Sequence, residues 1–373
     1  MQGVEQRFIG ETQYSNIPLF HYSSIPWFLE LAVELEILES PGEEWDAFAS
    51  RYTDLIFYQS LWSRVLRKGL GGQPLYFCLR EGGEIVAGLP GVLLNFRIFK
   101  VLYASIPYGS LIGEKPHYPP FMELVERGIR RMGIDQVRIT DSPFSEPYYP
   151  NGYGKVFSKC SLMDLGRFDG QKGLGGYKKY VRRDIRKAQR SGVTVRAGSS
   201  REDVRIFYEL YLASMGRNRA VAKYPARWFH AIYEEMAEKG LGTFLFADFN
   251  QKAVAGAVLI NSSTSTHYFH NGSLYEFLKF CPNELLIHSS LEIAFAEGKS
   301  FFDFMGSDPL DRPLIKFKEK WGSRSLDLCT YVKGYRPFRC WIWERGKAGA
   351  SSRWGSGLLR LINRGRSGIW SRE

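Results

Sequence analysis

The stretch that most constrains this chain is residues 177–196, YKKYVRRDIRKAQRSGVTVR. Tyr177, Val181, Ile185 and Ala188 recur at helical spacing with Tyr180 beside them, which predicts a helix with one apolar face. The other faces carry Lys178, Lys179, Arg182, Arg183, Arg186, Lys187 and Arg190, opposed only by Asp184. Gly192 stands where a helix ends in a left-handed residue, and Val193–Val195 then alternates like a short strand. Two readings of the charge stay open: a solvated helix face, or a surface that meets an anion. Charge of nearly one sign repels itself unless an anion is sometimes present, and this stretch lies at mid-chain, where a cleft between two domains would be.

A chain of 373 residues suggests two domains, and 44% hydrophobic with 15% aromatic residues excludes global disorder. A net charge of +11 and a pI near 9.3 point to an anionic partner: nucleic acid, a phosphate-bearing ligand or an acidic membrane surface. Five cysteines without a CxxC pair fit a reduced compartment, with thiols used as small apolar fillers. The first residues lack the layout of a signal peptide. No apolar run approaches the ~18–20 residues that span a bilayer, so a soluble, cytoplasmic protein is expected.

The pattern of elements predicts an α/β fold with mixed sheets in two units of one general plan. An extension at 1–43 ends in Ser40-Pro41-Gly42, a first unit covers 44–170, a second covers 171–345, and a basic, partly apolar tail covers 346–373. Glycines from Gly166 to Gly176 form the expected hinge. In the first unit a helix is expected over Trp45–Lys68, strands at Pro74–Arg80 and Glu84–Phe96 joined at Gly82-Gly83, and a helix over Pro119–Met132. In the second, Ser199 with Glu202 reads as a capping box. Three antiparallel strands follow from Leu241 to Asn271, then a helix over Pro282–Glu297 and a strand at Phe301–Met305.

Several motifs fail on spacing. Gly173-Leu-Gly175-Gly-Tyr-Lys178 puts Lys where a dinucleotide loop needs its third glycine, and Gly298-Lys299-Ser300 lacks the earlier glycine of a phosphate loop. His267 and His270, three apart on a strand, are expected on opposite faces, and His288 with Glu292 reads as a surface pair. Neither makes a metal site, and no nucleophile elbow or HExxH is present. What remains is Phe301–Ser307 followed by the basic-aromatic segment Leu314–Gly322, which can place an ammonium at the open end of a sheet.

Taken in order, these residues resemble the second domain of the FemAB-like, peptidoglycan-bridge branch of the GNAT acyltransferases. The resemblance rests on Arg182–Ala188 with Gly192, Tyr211 to Arg217 and Arg219, Pro225 with Trp228-Phe229, and Val254–Gly256. It continues through Tyr268 with Asn271-Gly-Ser273, Pro282 with Leu285-Leu286, Phe302–Phe304, and Phe317-Lys318-Glu-Lys-Trp321-Gly322. The first unit matches more loosely, through Phe57–Trp62, Gly88–Pro90 and Ser105–Gly109.

The resemblance implies two tandem GNAT-like domains that transfer an aminoacyl or acyl group to an amine, with aminoacyl-tRNA or acyl-CoA as co-substrate and no tightly bound cofactor. It implies an acceptor-site role for Lys318. The glycine-rich pyrophosphate turn of acetyl-CoA GNATs is not evident, because Leu174 stands where glycine is required. Amide formation from an ester or thioester needs no covalent enzyme intermediate, in agreement with the missing nucleophile.

Lys318, with Lys316 and Phe317 beside it, is expected to stabilise the anionic intermediate or an acceptor phosphate. Asp303 is a candidate general base, and a structural aspartate at a strand end is its plain alternative. Arg182, Arg183, Arg186 and Arg217 or Arg219 are expected to hold phosphates, and Tyr268 to line the site. The expected acceptor is an amine on a phosphate-bearing cell-envelope precursor or polysaccharide. A small amine acylated from acyl-CoA, or a non-catalytic adaptor that binds tRNA, DNA or an anionic membrane through the basic helix, stays open. The tail, with Trp354, Leu358, Leu359, Leu361, Ile362, Ile369 and Trp370 among its arginines, reads either as an amphipathic segment on an anionic membrane or as an unstructured end.

Overall fold

The computed structural model describes residues 33–96, 98–167 and 177–351. The chain up to residue 32, most of the expected hinge (168–176) and the tail from 352 lie outside the described residues.

The first half runs β1 (Glu34–Leu38), α1 (Glu43–Ser50), α2 (Ser60–Leu70), β2 (Gln73–Pro74), β3 (Tyr76–Glu81), β4 (Glu84–Leu89), β5 (Val92–Asn95), β6 (Lys100–Tyr103), β7 (Ile112–Gly113), α3 (Tyr118–Arg131), β8 (Gln136–Thr140) and β9 (Gly154–Asp164). The second half runs α4 (Lys179–Arg190), β10 (Thr194–Ala197), α5 (Arg201–Arg217), α6 (Ala226–Glu235), β11 (Gly242–Phe249), β12 (Lys252–Asn261), β13 (Ser265–Ser273), α7 (Pro282–Ala296), β14 (Phe301–Ser307), α8 (Arg312–Glu319), β15 (Arg324–Gly334) and α9 (Pro337–Ser351).

Local chemistry explains most boundaries. α4 buries Val181, Ile185 and Ala188 completely, and Gly192 ends it with φ of +82° while the Val193 amide returns to the Ala188 carbonyl at 3.1 Å. The capping box of α5 is Ser200 with Asp203, one residue later than expected, because both reciprocal hydrogen bonds form there. The helix expected over Trp45–Lys68 is two helices, α1 and α2, divided by a 3-10 turn at Ile56–Tyr58. The strand expected over Glu84–Phe96 is β4 and β5, each in a different sheet, and the chain changes sheets at Pro90-Gly91. Pro90 has no amide hydrogen to continue a ladder.

A small sheet has the order β1-β3-β4-β7, and a large one the order β10-β11-β12-β13-β14-β9-β15-β8-β6-β5-β2. The large sheet crosses from one half to the other by exchange. β9 precedes residue 171 in sequence, yet it lies antiparallel between β14 and β15, while β15 of the second half pairs with β8 of the first.

The apolar core is shared in the same way. Phe57 touches Trp62 and Tyr108 of its own half and His267 and Phe269 of the other, with ring centroids 4.8–5.8 Å apart. α2 lies directly on α6: a Cβ at Gly69 would stand 2.6 Å from the Trp228 ring. Beside that contact Glu235 of α6 accepts from Arg64 at 3.1 Å, Lys68 at 2.6 Å and Lys239 at 3.0 Å. Burial pushes the Glu235 carboxyl up, but the hydrogen bonds from Lys68, Lys239 and Arg64 overcome it and bring its pKa down to about 2.

With strands and core exchanged, the halves should unfold together. Phe57→Ala is expected to cost about 3–5 kcal/mol and to shift one common transition, followed by far-UV circular dichroism and tryptophan fluorescence in urea. Two separated transitions would contradict this.

Candidate active site

The two parallel strands β13 and β14 pair only from Ser265–Phe301 to His267–Asp303. Beyond that point β13 continues along β12 as far as Ser273, while β14 breaks register with β9 between Asp303 and Gly306. Met305 sits at the break with φ of +63°. The β14-facing edge of β13 beyond His267 is therefore unpaired with β14, and a wedge opens between the strands.

Lys318 of α8 braces the strand at the wedge. Its ammonium donates to the Met305 carbonyl at 2.9 Å, the Gly306 carbonyl at 3.3 Å and Ser307 Oγ at 2.8 Å. Three acceptors match its three N–H groups. Burial draws its pKa down to about 8, against the pull of Asp303.

Asp303, wholly buried, is the other centre. It accepts from the Met305 amide at 2.7 Å, Tyr108 Oη at 2.8 Å, His267 Nδ1 at 3.0 Å and Cys160 Sγ at 3.2 Å. Burial pushes its carboxyl up, but the hydrogen bond and charge of His267, with those from Met305 and Tyr108, leave it below the usual carboxylate range. On the far side of the ring, His267 Nε2 meets Ser262 Oγ at 3.1 Å and Ser265 Oγ at 3.2 Å. Ser262, His267 and Asp303 thus form a serine–histidine–carboxylate line. Ser262 is only 5% exposed and also receives the Ile56 amide, so the line works as an internal polar strut.

Tyr108 reaches this cluster because the first half fills its own wedge. There β6 and β8 run parallel from Val101–Gln136 to Tyr103–Arg138 and then part. The loop 104–110 occupies the space, with the Gly109 amide bonded to the Thr140 carbonyl at 2.9 Å. A Cβ at Gly109 would lie 1.5 Å from the Ala104 carbonyl oxygen, so only glycine allows the loop to close.

The mouth of the second wedge lies at the start of α7. Among the described residues, Tyr268 Oη, Asn283 Oδ1 and Trp321 Nε1 are buried without a hydrogen-bond partner. Arg217, at the end of α5, donates to the Ser273 carbonyl at 2.8 Å, and Asn283 Nδ2 donates to Ser273 Oγ at 3.3 Å. The Cys281 thiol, one residue before α7, is pushed up by burial and lies within reach of the charges of Glu284, Asp184, Lys187 and Lys320. Lys320 pairs with Glu284 at 2.9 Å and lies 4.1 Å from the centre of the Phe317 ring. Tyr177, at the foot of α4, meets Trp321 edge to face at 5.5 Å. The residue that leads into the basic helix and the one that follows the helix carrying Lys318 are therefore in contact.

Of the other residues singled out in the sequence, Arg183 and Arg186 are exposed on α4 and Arg182 is half-buried. Among the described residues only Arg183 of that helix has an acidic partner, Asp184 at 2.9 Å. Lys316 is exposed on α8, and Arg219 is exposed past α5 with φ of +52°. Two expectations are corrected. A bulge in β13 opposite Val258/Leu259 puts His270 on the same side as His267, where Trp228 Nε1 donates to His270 Nε2 at 2.9 Å and burial lowers its pKa to about 3. His288 is buried, not a surface residue, and joins Tyr177 Oη at 3.1 Å to Glu292 at 3.3 Å. Sequence reasoning missed Tyr108, Cys160, Ser262 and the placement of His267. All five cysteines are free, but Cys160 is a hydrogen-bond donor to a carboxylate and not a filler.

The buried ammonium sets a pH dependence. With a folded pKa of about 8 against an ordinary 10.5, the folded state loses the Lys318 proton before the unfolded chain does. Stability of the wild type relative to Lys318→Met should therefore rise with pH across that window, by up to ~1.4 kcal/mol per pH unit. Urea unfolding of both proteins at several pH values checks this; a constant difference would mean the ammonium is solvated.

Residues 175–318 match the family model of the acetyltransferase (GNAT) domain. None of the curated proteins matches the chain. Among solved structures, FemX superposes with a TM-score of 0.60 at 14% identity, over 81% of this chain and 98% of FemX. A tandem GNAT protein from the clavulanic acid biosynthesis pathway gives 0.56 at 12% identity, over 81% and 98%. L-PGS from Bacillus licheniformis gives 0.53 at 12% identity, over 80% and 93%. The wedge between β13 and β14 thus lies within the segment, 175–318, that matches the GNAT acetyltransferase domain model, and the chain is an acyltransferase with the mixed α/β fold seen in FemX and a tandem GNAT protein.

Proposed function

We propose that the chain forms an amide by moving an acyl group, an aminoacyl group included, from an ester or thioester donor to an amine on a phosphate-bearing cell-envelope precursor or polysaccharide. One observation carries the reading: three buried polar atoms around β13 and the start of α7, Tyr268 Oη, Asn283 Oδ1 and Trp321 Nε1, have no partner among the described residues, where β13 has parted from β14. Leaving such groups unmatched costs roughly 1–3 kcal/mol each, and a polar ligand in the wedge removes that cost.

Backbone amides along β13 beyond His267 are suited to the carbonyl of the donor and to the oxyanion that forms when the amine attacks. The amine adds to the carbonyl carbon, the tetrahedral intermediate collapses with cleavage of the C–O or C–S bond, and the proton lost by the amine nitrogen goes to the departing alkoxide or thiolate; no enzyme-bound ester is needed. Lys318 and Asp303 act in this scheme as positioning residues. Lys318 holds the Met305–Ser307 bulge from one side, and Asp303 fixes the Met305 amide from the other. Arg182 and Arg186 of α4, with Arg217 and Arg219 past the wedge mouth, would attract the phosphates. The GNAT match favours a coenzyme A thioester as donor over aminoacyl-tRNA.

The test is a mass-spectrometric assay of the purified full chain with acyl-CoA and aminoacyl-tRNA panels, using amine acceptors with and without a phosphate group. Acylation confined to the phosphate-bearing acceptor is expected. Changing both Arg182→Glu and Arg186→Glu should raise KM for it about tenfold with kcat little changed. Lys318→Ala should instead lower kcat about tenfold or more. Equal rates on phosphorylated and dephosphorylated acceptors would overturn the acceptor assignment.

A further inference from the structure

α9 has two faces of different fate. Its inner face is fixed to the first half. Trp343 stacks on Phe99 at 4.8 Å and meets Phe96 at 4.8 Å, Arg339 pairs with buried Asp135 at 3.3 Å and donates to the Ile98 carbonyl, and Cys340 donates to the Asp135 carbonyl at 3.3 Å. The outer face follows at helical spacing: Phe338, Trp341, Ile342 and Arg345. Phe338 is 72% exposed, Trp341 53% and Ile342 42%, and Ile98 at the neighbouring β5–β6 hairpin tip is 68% exposed. Phe338 and Trp341 stack on each other at 6.2 Å, and the Arg345 guanidinium covers the Trp341 ring at 4.5 Å. A helix fastened by one face thus holds an apolar stripe out in solvent, with an exposed apolar hairpin tip nearby. Isolated exposed apolar residues are ordinary, but a contiguous aromatic stripe marks an interaction surface.

We propose that this stripe, Phe338, Trp341, Ile342 and Ile98 rimmed by Arg345, seats the protein on an anionic lipid surface. The charge favours that occupant. Arg336, Arg339, Arg345, Lys347 and Arg353 stand against Glu344 along this part of the chain and against the buried Asp135 that Arg336 and Arg339 both face, and basic residues beside aromatic ones draw a surface to acidic headgroups while the rings enter the interface. No helix among the described residues is long and apolar enough to cross a membrane, so contact would be peripheral. Nucleic acid would need aromatic faces along a basic groove, which Ile342 and Ile98 do not offer.

The test is flotation of the full chain with phosphatidylcholine vesicles and with vesicles containing about one third phosphatidylglycerol. Binding to the anionic vesicles only, weakened by salt, is expected. The double change Phe338→Ser with Trp341→Ser should lower partition about tenfold, with an unaltered thermal melt. Tyr275→Ser, which removes another exposed aromatic, should leave partition unchanged. Three results overturn the proposal: absence of wild-type binding, equal binding by the double variant (which would leave the residues beyond 351 responsible), or a change in light-scattering mass without a change in vesicle partition (which would make the stripe a protein interface).

Discussion

A wholly buried carboxylate governs the centre of this molecule. A charge such as that of Asp303 survives in an apolar interior only when its acceptor sites are met by well-placed donors. Here the four donors come from four parts of the chain: the loop 104–110, strand β9, strand β13 and the backbone of β14 itself. The wedge between β13 and β14 starts at the level of His267 and Asp303 because those side chains bind one another there. Removing any one donor leaves part of the charge exposed to a medium that cannot solvate it, so the halves must be docked before the wedge takes its shape.

The exchange of strands gives that docking its strength. Since β9 is hydrogen-bonded on both sides within the second half, and β15 is hydrogen-bonded to β8, neither half completes its sheet alone. The cost is carried by the first half, whose own wedge is closed by Ser105–Ser110. Tyr108 is spent on the partner's carboxylate, and Gly109 is pressed against the Ala104 carbonyl. Two units of one plan have thus divided their work. One supplies the open strand edge, and the other supplies a plug that stiffens it.

What could be read in advance was what depends on neighbours a few residues away. The stripe of α4, the glycine that ends it and the run of strands from Leu241 to Asn271 are local patterns of burial, and they hold in the structure. α8 escaped notice because Pro313 and a mixed basic-aromatic composition hide eight helical residues, and α9 because its apolar residues lie on both faces. The face of His270 was misread because a bulge shifts the strand phase by one residue, and no residue type announces it. The strut of Ser262, His267, Asp303 and Tyr108 joins positions up to 195 apart in sequence, so only the fold brings them together.

Lys318 shows how a family position can be recognised while its work is left open. Its spacing after Phe317 suggested an ammonium facing substrate, yet all three of its N–H groups end on the bulge of β14. A lysine whose donors are used internally cannot also grip a phosphate without releasing strand contacts. What it does fix is the backbone, because the carbonyls it holds set where Gly306, exposed and with open space around its Cα, sits at the lip of the wedge. Asp303 acts on the same segment through the Met305 amide, from the buried side. The anion and cation thus clamp the stretch Met305–Ser307 of the strand between them.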